Sequence, residues 1–211
     1  MNSKYTFVFD LDDTLYSERD FQKSGIIYVC NQLNFSEEIT EKLINNPNSW
    51  IQNIFSIYNC KNTKTELLNL YRNHFPSISL FTDAKIFLNR LREKKIKMSL
   101  ITDGRIITQK NKLKALGIEN YFVDIIISEE INSEKPSEIN FKSIMKYKEN
   151  YIYIADNTQK DFVTPNKLGW ETICLLDRGH NIHKQDFTLN SVFLPKHKVK
   201  SFDEINFLYE F

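Results

Sequence analysis

The sequence predicts an α/β protein, with a doubly wound, mostly parallel sheet and a small all-helical module inserted after the first strand. Two observations support this fold class. From about residue 80 onward, short β-rich apolar runs alternate with helical patterns, which is typical of strands joined by crossover helices. By contrast, residues 17–79 show a helical spacing of apolar residues and no strand-like run.

The first expected strand covers residues 5–9, Tyr-Thr-Phe-Val-Phe, and stops abruptly at Asp10. Continuous apolar runs of this kind are typical of parallel strands that are buried on both faces. Four further runs have the same character and are also expected to be strands. They cover residues 97–101, 123–127, 151–155 and 172–176.

Helical patterns lie between these runs and are expected to form the crossover connections. Two of the expected helices end at a glycine, Gly117 or Gly169, because glycine readily adopts the left-handed conformation that terminates a helix. The expected helices cover residues 84–94, 106–116, 138–147 and 159–168.

The helical segment between the first two strands is too long for an ordinary connection. A crossover between parallel strands usually needs one helix, whereas this segment has room for three or four. We therefore expect a core domain made of residues 1–16 and 80–211, and a helical cap domain made of residues 17–79. A run of ordinary crossover helices is the alternative interpretation.

Composition restricts the classes of partner and compartment. A chain of 211 residues, 41% of them hydrophobic, can form one sizeable core with a small inserted domain. The net charge of +1 and the absence of a basic block argue against nucleic acid or a membrane as the main partner. No apolar run is long enough to span a bilayer, no signal peptide is evident, and three distant cysteines suggest no disulfide framework. We expect a cytoplasmic protein.

Polar and acidic residues follow the expected strands at the points where these strands end. In a doubly wound sheet the ligand lies at the carboxyl ends of the strands, so these residues are expected to meet at one edge. They are Asp10 and Asp12 after the first strand, Thr102 and Asp103 after the second, and Asp156 and Asp161 after the fourth. Lys135, in the loop before the expected helix 138–147, is expected at the same edge.

The charges at this edge predict a bound cation. Asp10, Asp12, Asp156 and Asp161 together with Lys135 carry a net charge of −3 if all are ionised. Like charges about 4 Å apart repel each other by roughly 4 kcal/mol at an effective dielectric constant near 20. Such a cluster persists if some carboxyl groups take up protons or if a cation neutralises them. Magnesium, which prefers one or two carboxylates together with water and phosphate oxygens, fits this ligand set.

The same residues suit phosphoryl transfer. A carboxylate such as Asp10 can attack phosphorus and hold the phosphoryl group as an acyl phosphate. A second carboxyl group two residues later, Asp12, can protonate the leaving group and later activate water. Lys135 and the hydroxyl group of Thr102 can meet the negative charge of the transferring group.

The Asp10-x-Asp12-x-Thr14 segment after a strand, followed in order by Thr102, Lys135 and the Asp156/Asp161 pair, resembles the haloacid dehalogenase superfamily. The resemblance covers essentially the whole chain and implies a Rossmann-like core with an inserted C1-type cap.

The resemblance also implies a role for each matched residue. Asp10 would be the nucleophile and a Mg²⁺ ligand, and Asp12 the acid and base, with its main-chain carbonyl on the metal. Thr102 and Lys135 would bind the phosphoryl oxygens. Asp156 would bind Mg²⁺, and Asp161 would support it.

Two positions depart from the family pattern. Ala155 stands where glycine is usual, and it adds only a methyl group beside a metal ligand. Asp103 stands where asparagine is usual, and it is expected among the phosphate-binding residues, where it places a further acid near the bound phosphate. Neither replacement removes a catalytic group.

Several residues near these motifs have simpler interpretations. Asp13 is expected to face solvent, and Thr14 to hydrogen-bond the local backbone. Thr102 taken alone could be a helix cap, and Lys135 an exposed loop lysine. His180 and His183 have the spacing of metal ligands but are expected to lie in a surface loop.

These observations predict a Mg²⁺-dependent phosphatase that hydrolyses a small phosphomonoester through an aspartyl-phosphate intermediate. Sugar phosphates and nucleoside monophosphates are the expected substrate classes, and the protein is expected to be a monomer or a homodimer. A phosphomutase that uses the same intermediate is one alternative, and a catalytically idle binding scaffold is another. A dehalogenase is disfavoured because it needs neither Mg²⁺ nor the acid at Asp12.

Overall fold

The computed structural model describes residues 5–58, 61–146 and 150–208. Six strands form one all-parallel sheet with the order β3-β2-β1-β4-β5-β6. The strands are β1 Tyr5–Phe9, β2 Lys97–Thr102, β3 Asp124–Ile127, β4 Asn150–Ala155, β5 Glu171–Leu175 and β6 His197–Val199. The predicted Rossmann-like, doubly wound α/β fold is confirmed.

The described part of the chain also contains ten α-helices. They are α1 Glu18–Gln32, α2 Glu37–Ile44, α3 Trp50–Tyr58, α4 Lys64–Asn73, α5 Thr82–Glu93, α6 Ile106–Leu116, α7 Ser128–Ile131, α8 Glu138–Lys142, α9 Val163–Lys167 and α10 Phe202–Leu208. Two short 3₁₀ turns, Glu119–Tyr121 and Ser191–Phe193, complete the set. None of the described helices combines the length and the apolar character needed to cross a membrane.

The five predicted strands are present, and each of their ends lies within one residue of its expected position. The structure adds β6, which sequence patterns did not predict. This strand has only three residues, and Val199 alone is buried among them, so it shows neither an apolar run nor an alternation. Its place at the edge of the sheet is decided by pairing with β5.

Two predicted helices are shorter than expected. The predicted helix 138–147 ends at Lys142, and residue 147 lies outside the described residues. The predicted helix 159–168 begins at Val163 instead. In the residues before it, side chains bond to nearby backbone N–H groups. The carboxylate of Asp161 accepts the backbone N–H of Asn157, and the side chain of Asn157 accepts the backbone N–H of Gln159. These bonds offer the backbone an alternative to the first helical turn.

Aromatic and aliphatic side chains cover both faces of the sheet. One cluster packs strand residues such as Phe7 and Phe9 against Phe87 of α5 and Phe202 of α10. On the opposite face, Phe141, Tyr153 and Trp170 belong to a second cluster, where the ring centroids of Phe141 and Trp170 lie 5.7 Å apart. Apolar packing on both faces explains why the strand sequences are almost continuously hydrophobic.

Helices α1 to α4 form a helical insert with its own apolar cluster. Its buried members are Ile26, Val29, Cys30, Leu43, Trp50, Ile54 and Leu67. Hydrogen bonds join the insert to α6 of the core, since Thr108 donates to the carbonyl of Arg72 at 2.9 Å and Asn111 to that of Asn73 at 3.1 Å. The separate cluster agrees with an inserted module, while the domain boundaries at residues 17 and 79 stay a prediction.

Replacement of Gly25 by alanine is expected to destabilise the protein. A Cβ atom at Gly25 would lie 2.5 Å from two ring carbons of Tyr71, and that ring is itself held between Phe21 and Trp50. Overpacking of this kind costs about 1–3 kcal/mol, which exceeds the gain in helix propensity of about 1 kcal/mol. Chemical denaturation should therefore show a lower free energy of unfolding for Gly25→Ala. The exposed α1 substitution Lys23→Ala should leave that free energy nearly unchanged, and an equal or higher stability of Gly25→Ala would contradict this packing.

Candidate active site

The site lies at the carboxyl ends of β1, β2 and β4. Parallel pairing places Phe9 opposite both Leu100 and Ile154, and the backbone N–H of Asp10 donates to the carbonyl of Ile154 at 2.9 Å. This register brings the residues that follow the three strands to one edge. The strand-end residues of the sequence analysis therefore lie together around the end of the central strand.

Lys135 holds the side chain of Asp10. Its Nζ atom lies 2.6 Å from Oδ1 of Asp10 and 2.8 Å from Oδ1 of Asp161, and 3.3 Å from the hydroxyl group of Tyr153. The side chain of Lys135 is 1% exposed, so this lysine is a buried counter-charge and the alternative of an exposed loop lysine is wrong. Asp10 and Asp161 outweigh the effect of burial and raise the pKa of Lys135 well above its usual value.

Three carboxylates form a set that could hold a metal ion. Oxygen atoms of Asp10, Asp156 and Asp161 all lie within 4.8 Å of one another, and all three residues are buried. Asp161 also accepts the backbone N–H of Asn157 at 3.0 Å, which fixes it at the base of the site. Asn181 donates to Oδ2 of Asp156 at 2.8 Å.

The electrostatics of this set fit a divalent cation. If all are ionised, the three carboxylates and the ammonium group of Lys135 leave two net negative charges in a buried place. Burial raises the pKa of Asp10 to about 7 despite the nearby Lys135. Burial, with Asp10 and Asp161 adding to it, raises the pKa of Asp156 well above its usual value. A hard cation with oxygen ligands would offset both effects, so the donor set fits Mg²⁺.

Asp12 lies apart from the three-carboxylate set, although it follows Asp10 by only two residues. Its carboxylate accepts hydrogen bonds from Lys112 at 2.7 Å, from Gln109 at 3.0 Å and from the hydroxyl group of Tyr16. Burial opposes ionisation, but Lys112 and the other donors outweigh it and lower the pKa of Asp12. Asp10 and Asp12 therefore have different side-chain partners, and their pKa values are shifted in opposite directions.

Thr102 and Asp103 follow β2 and differ in their contacts. Thr102 is fully buried, and its hydroxyl oxygen accepts a hydrogen bond from the side-chain amide of Gln109. Asp103 accepts the backbone N–H of Lys135 at 3.0 Å and pairs with Nζ of Lys160 at 2.6 Å. Asp103 therefore lies at the site, where its two carboxylate oxygens contact Lys135 and Lys160 and can hold both lysines in position.

Expectations for two neighbours of Asp12 were wrong. Asp13 is 3% exposed and does not face solvent, and its backbone has φ of 52°. There it accepts the backbone N–H groups of Glu18 at 2.8 Å and Ile182 at 2.7 Å, and so joins two loops that flank the site. Thr14 does not bond the local backbone, since its buried hydroxyl group has no hydrogen-bond partner among the described residues.

A small cavity of about 80 Å³ opens onto Asp10 and Asp12. It is lined by Asp10, Asp12, Asp13, Glu18, Asp103, Asp156, Asn157, Lys160 and His183. His180 and His183 are exposed, as predicted for a surface loop, but His183 also borders this cavity.

Sequence analysis missed several residues at the site. Glu18 is the first residue of α1 and faces the cavity. Lys160 also lines the cavity and lies in the loop after β4, between Asp156 and Asp161. Gln109 and Lys112 lie three residues apart on α6, and both are buried. The signal for this last pair was present in the sequence, since two polar residues at i and i+3 in a helix share one face.

Comparisons with known proteins agree with this geometry. Residues 7–175 match the family of haloacid dehalogenase-like hydrolases. The chain belongs to this family. The assignment confirms the resemblance predicted from the sequence and the expectation of a hydrolase.

Two archaeal relatives of this haloacid dehalogenase-like hydrolase carry the same name, glyceraldehyde 3-phosphate phosphatase. The protein of Methanocaldococcus jannaschii is 27% identical over 88% of this chain and 92% of its own length. That of Methanopyrus kandleri is 26% identical over 79% of this chain and 81% of its own length. Among solved structures, the HAD hydrolase YfnB of Bacillus subtilis, determined bound to magnesium, has a TM-score of 0.68 and 16% identity, with 98% and 99% of the two chains covered. This last likeness shows the fold alone.

Removal of the buried ammonium group should destabilise the metal-free protein. Lys135→Met leaves Asp10 and Asp161 without their counter-charge, and loss of one partner of a buried ion pair costs about 3–5 kcal/mol. Lys142→Met removes an exposed partner of Glu138 and should change stability by less than about 1 kcal/mol. Denaturation of both variants in the presence of a chelator measures the difference, and similar values for the two would contradict the role of Lys135 as counter-charge.

Proposed function

We propose that this protein is a Mg²⁺-dependent phosphatase that hydrolyses small sugar phosphates through an aspartyl-phosphate intermediate at Asp10. One observation carries the proposal. The carboxylate of Asp10 is held by Lys135 at 2.6 Å and shares a buried set of carboxylates with Asp156 and Asp161 at the end of a parallel sheet. A nucleophile, a counter-charge and a cation site are thereby combined in one place.

Asp10 is the nucleophile in this proposal. Lys135 contacts Oδ1 of Asp10, whereas Oδ2 accepts no hydrogen bond from the described residues. Oδ2 would form the bond to phosphorus, and the bond from phosphorus to the ester oxygen would break. Lys135 and Thr102 would meet the charge of the phosphoryl oxygens.

Asp12 would serve the proton transfers of both steps. In the first step it gives a proton to the leaving alkoxide, and in the second it takes one from the water that attacks the acyl phosphate. The partners of its side chain support this division, because the carboxylate of Asp12 contacts Lys112, Gln109 and Tyr16 and does not belong to the three-carboxylate set.

Asp10, Asp156 and the main-chain carbonyl of Asp12 would hold Mg²⁺, with Asp161 in support. When bound, Mg²⁺ supplies positive charge that offsets the carboxylates and polarises the phosphoryl group. The helical insert would act as a C1-type cap that limits access of water to the acyl phosphate.

The lining of the cavity supports, as substrate, a phosphate ester whose sugar part carries no further charge. Glu18 faces the cavity, and Lys160, the lysine among the lining residues, already pairs with Asp103. Burial and the carboxylate of Asp12 raise the pKa of Glu18 to about 8. A carboxyl group can hydrogen-bond a sugar hydroxyl in either protonation state, but it offers no positive charge to a second anionic group. The names of the two archaeal relatives agree with this class.

A panel of phosphate esters tests the substrate class. Monophosphates of uncharged trioses, pentoses and hexoses should give kcat/KM values at least about tenfold above those of phosphorylated acids and bisphosphates. This ratio corresponds to a difference of about 1.4 kcal/mol. Release of inorganic phosphate is the measurement. A preference for phosphorylated acids or for nucleoside monophosphates would contradict the proposed class. Transfer of phosphate to a second position of the sugar, with none released, would favour the phosphomutase.

Replacement of the nucleophile should abolish turnover without unfolding the protein. Asp10→Asn removes the attacking carboxylate and one ligand of the cation site, and an amide neither attacks phosphorus nor binds Mg²⁺ well. Turnover should fall below a hundredth of the wild-type value, with deamidation excluded by mass spectrometry. Asp20→Asn, an exposed substitution in the first turn of α1, is the matched control and should keep full activity. Substantial turnover by Asp10→Asn would refute the assignment.

Activity should depend on Mg²⁺. Exhaustive chelation should remove phosphate release, added Mg²⁺ should restore it, and Ca²⁺ should not. Calcium takes more ligands at longer and less regular distances, so it would misplace the carboxylate of Asp10. Phosphate release at each stage is the measurement, and full activity after chelation would count against this mechanism.

A further inference from the structure

Helix α6 carries a lysine and a glutamine at buried positions, three residues apart. Lys112 is 4% exposed and Gln109 is 1% exposed, although neither lies at the strand ends that form the rest of the site. Burial of an ammonium or amide group is unfavourable unless the group is paired and hydrogen-bonded. The partners of these two side chains therefore indicate why the helix places them there.

Both side chains meet at the carboxylate of Asp12. Nζ of Lys112 lies 2.7 Å from Oδ1, and Nε2 of Gln109 lies 3.0 Å from Oδ2. The hydroxyl group of Tyr16 also donates to Oδ1. Three donors from two elements thus fix both oxygens of one carboxylate.

The donors leave one oxygen available for chemistry. Each oxygen of a carboxylate accepts about two hydrogen bonds. Lys112 and Tyr16 occupy both positions on Oδ1, whereas Gln109 occupies one of the two on Oδ2. Oδ2 of Asp12 is therefore the atom that can exchange a proton with substrate or water.

Gln109 also connects Asp12 to the expected phosphate-binding residue. The same Nε2 atom donates to Oγ1 of Thr102, so one amide group sets the acid relative to the threonine. Gly104 leaves room for this arrangement, because a Cβ atom there would lie 3.0 to 3.1 Å from the side chain of Gln109, and its φ of 145° favours glycine.

Lys112 connects Asp12 to the helical insert. Its ammonium group lies 4.3 Å from the ring centre of Phe21 in α1 and 5.9 Å from that of Tyr16. The faces of these rings attract the ammonium group and add to its ion pair with Asp12. The lysine therefore has a defined position between the acid and the first helix of the insert.

We propose that Lys112 and Gln109 are positioning residues that orient Asp12 so that its Oδ2 atom faces the ester oxygen of the substrate. This inference rests on the proposed function, since it assigns the two residues to proton transfer by Asp12. A stabilising role is a weaker explanation, because a buried ion pair contributes little net stability relative to apolar side chains of similar size.

Dependence on the leaving group is the readout that a merely structural role would not change. An alkoxide leaving group needs a proton, whereas p-nitrophenolate leaves readily without one, and general acid catalysis contributes about 10²–10⁴-fold. The experiment measures single-turnover release of the first product from a sugar phosphate and from p-nitrophenyl phosphate. Asp12→Asn sets the reference, with a large loss on the sugar phosphate and a much smaller loss on the aryl phosphate.

Lys112→Met keeps the aliphatic stem against Phe21 but removes the ammonium group. It should lose at least about tenfold on the sugar phosphate and much less on the aryl phosphate. In the double variant with Asp12→Asn it should add nothing to the loss of Asp12→Asn, because residues that act as one unit are not additive. Lys110→Met, on the same helix and paired with the exposed Glu130, is the matched control and should behave as wild type.

Each outcome decides the proposal. Equal losses of Lys112→Met on the two substrates, or a loss that multiplies with that of Asp12→Asn, would overturn it while leaving the phosphatase intact. A wild-type protein that releases no product from either substrate would overturn the proposed function and this inference with it. If Lys112→Met does not fold, Lys112→Gln carries the same test, since it removes the ammonium charge beside Oδ1 and leaves the bond from Gln109 to Thr102 in place.

Discussion

Mutual repulsion among the buried carboxylates of Asp10, Asp156 and Asp161 is the constraint on which the rest of the site depends. Their oxygens lie within 4.8 Å of one another, where water cannot screen them well. Lys135 supplies one buried positive charge, and the backbone N–H of Asn157 adds a hydrogen bond to Asp161. The net negative charge that remains would favour a divalent cation, and a bound cation would in turn offset the negative charge of a phosphate ester.

The topology of the sheet makes this concentration of charge possible. β1 lies at the centre of the strand order, between β2 and β4, so the loops after three strands converge around Asp10. Apolar side chains cover both faces of the sheet and hold the strand ends in a fixed register. The unfavourable electrostatics of the edge are thus sustained by hydrophobic packing elsewhere, which supplies the dominant favourable free energy of folding.

Asp12 shows how one short motif can serve two purposes. It lies two residues after Asp10, yet its side chain joins Lys112 and Gln109 of α6 and the ring of Tyr16, away from the three-carboxylate set. Lys112 and the other donors outweigh burial and lower the pKa of Asp12, whereas burial raises the pKa of Asp10. Because Lys112 also contacts Phe21, the acid of the core and the first helix of the insert share one side chain. A movement of α1 relative to the core would therefore change the position of Lys112, and with it the surroundings of the Asp12 carboxylate.

The sequence by itself determined the fold class, five of the six strands and the edge at which the functional residues meet. Apolar runs and the abrupt change to Asp10 or Asp156 at a strand end are local patterns, and the strand-end rule converts them into proximity. Lys135 lies in a loop and ends no strand, so its place at the site was predicted from the order of the motifs and the family resemblance. Local sequence patterns were therefore enough to predict which residues meet wherever the path of the backbone alone determines their position.

Tertiary structure decided the features that depend on partners distant in the sequence. β6 exists because β5 offers it an edge, and α9 begins late because Asp161 bonds Asn157. The inward side chain of Asp13 depends on backbone N–H groups at residues 18 and 182. Lys112 meets Asp12 across 100 positions of the chain. No local pattern encodes such pairings, because the direction of a side chain and the identity of its partner are set only when separate elements pack together.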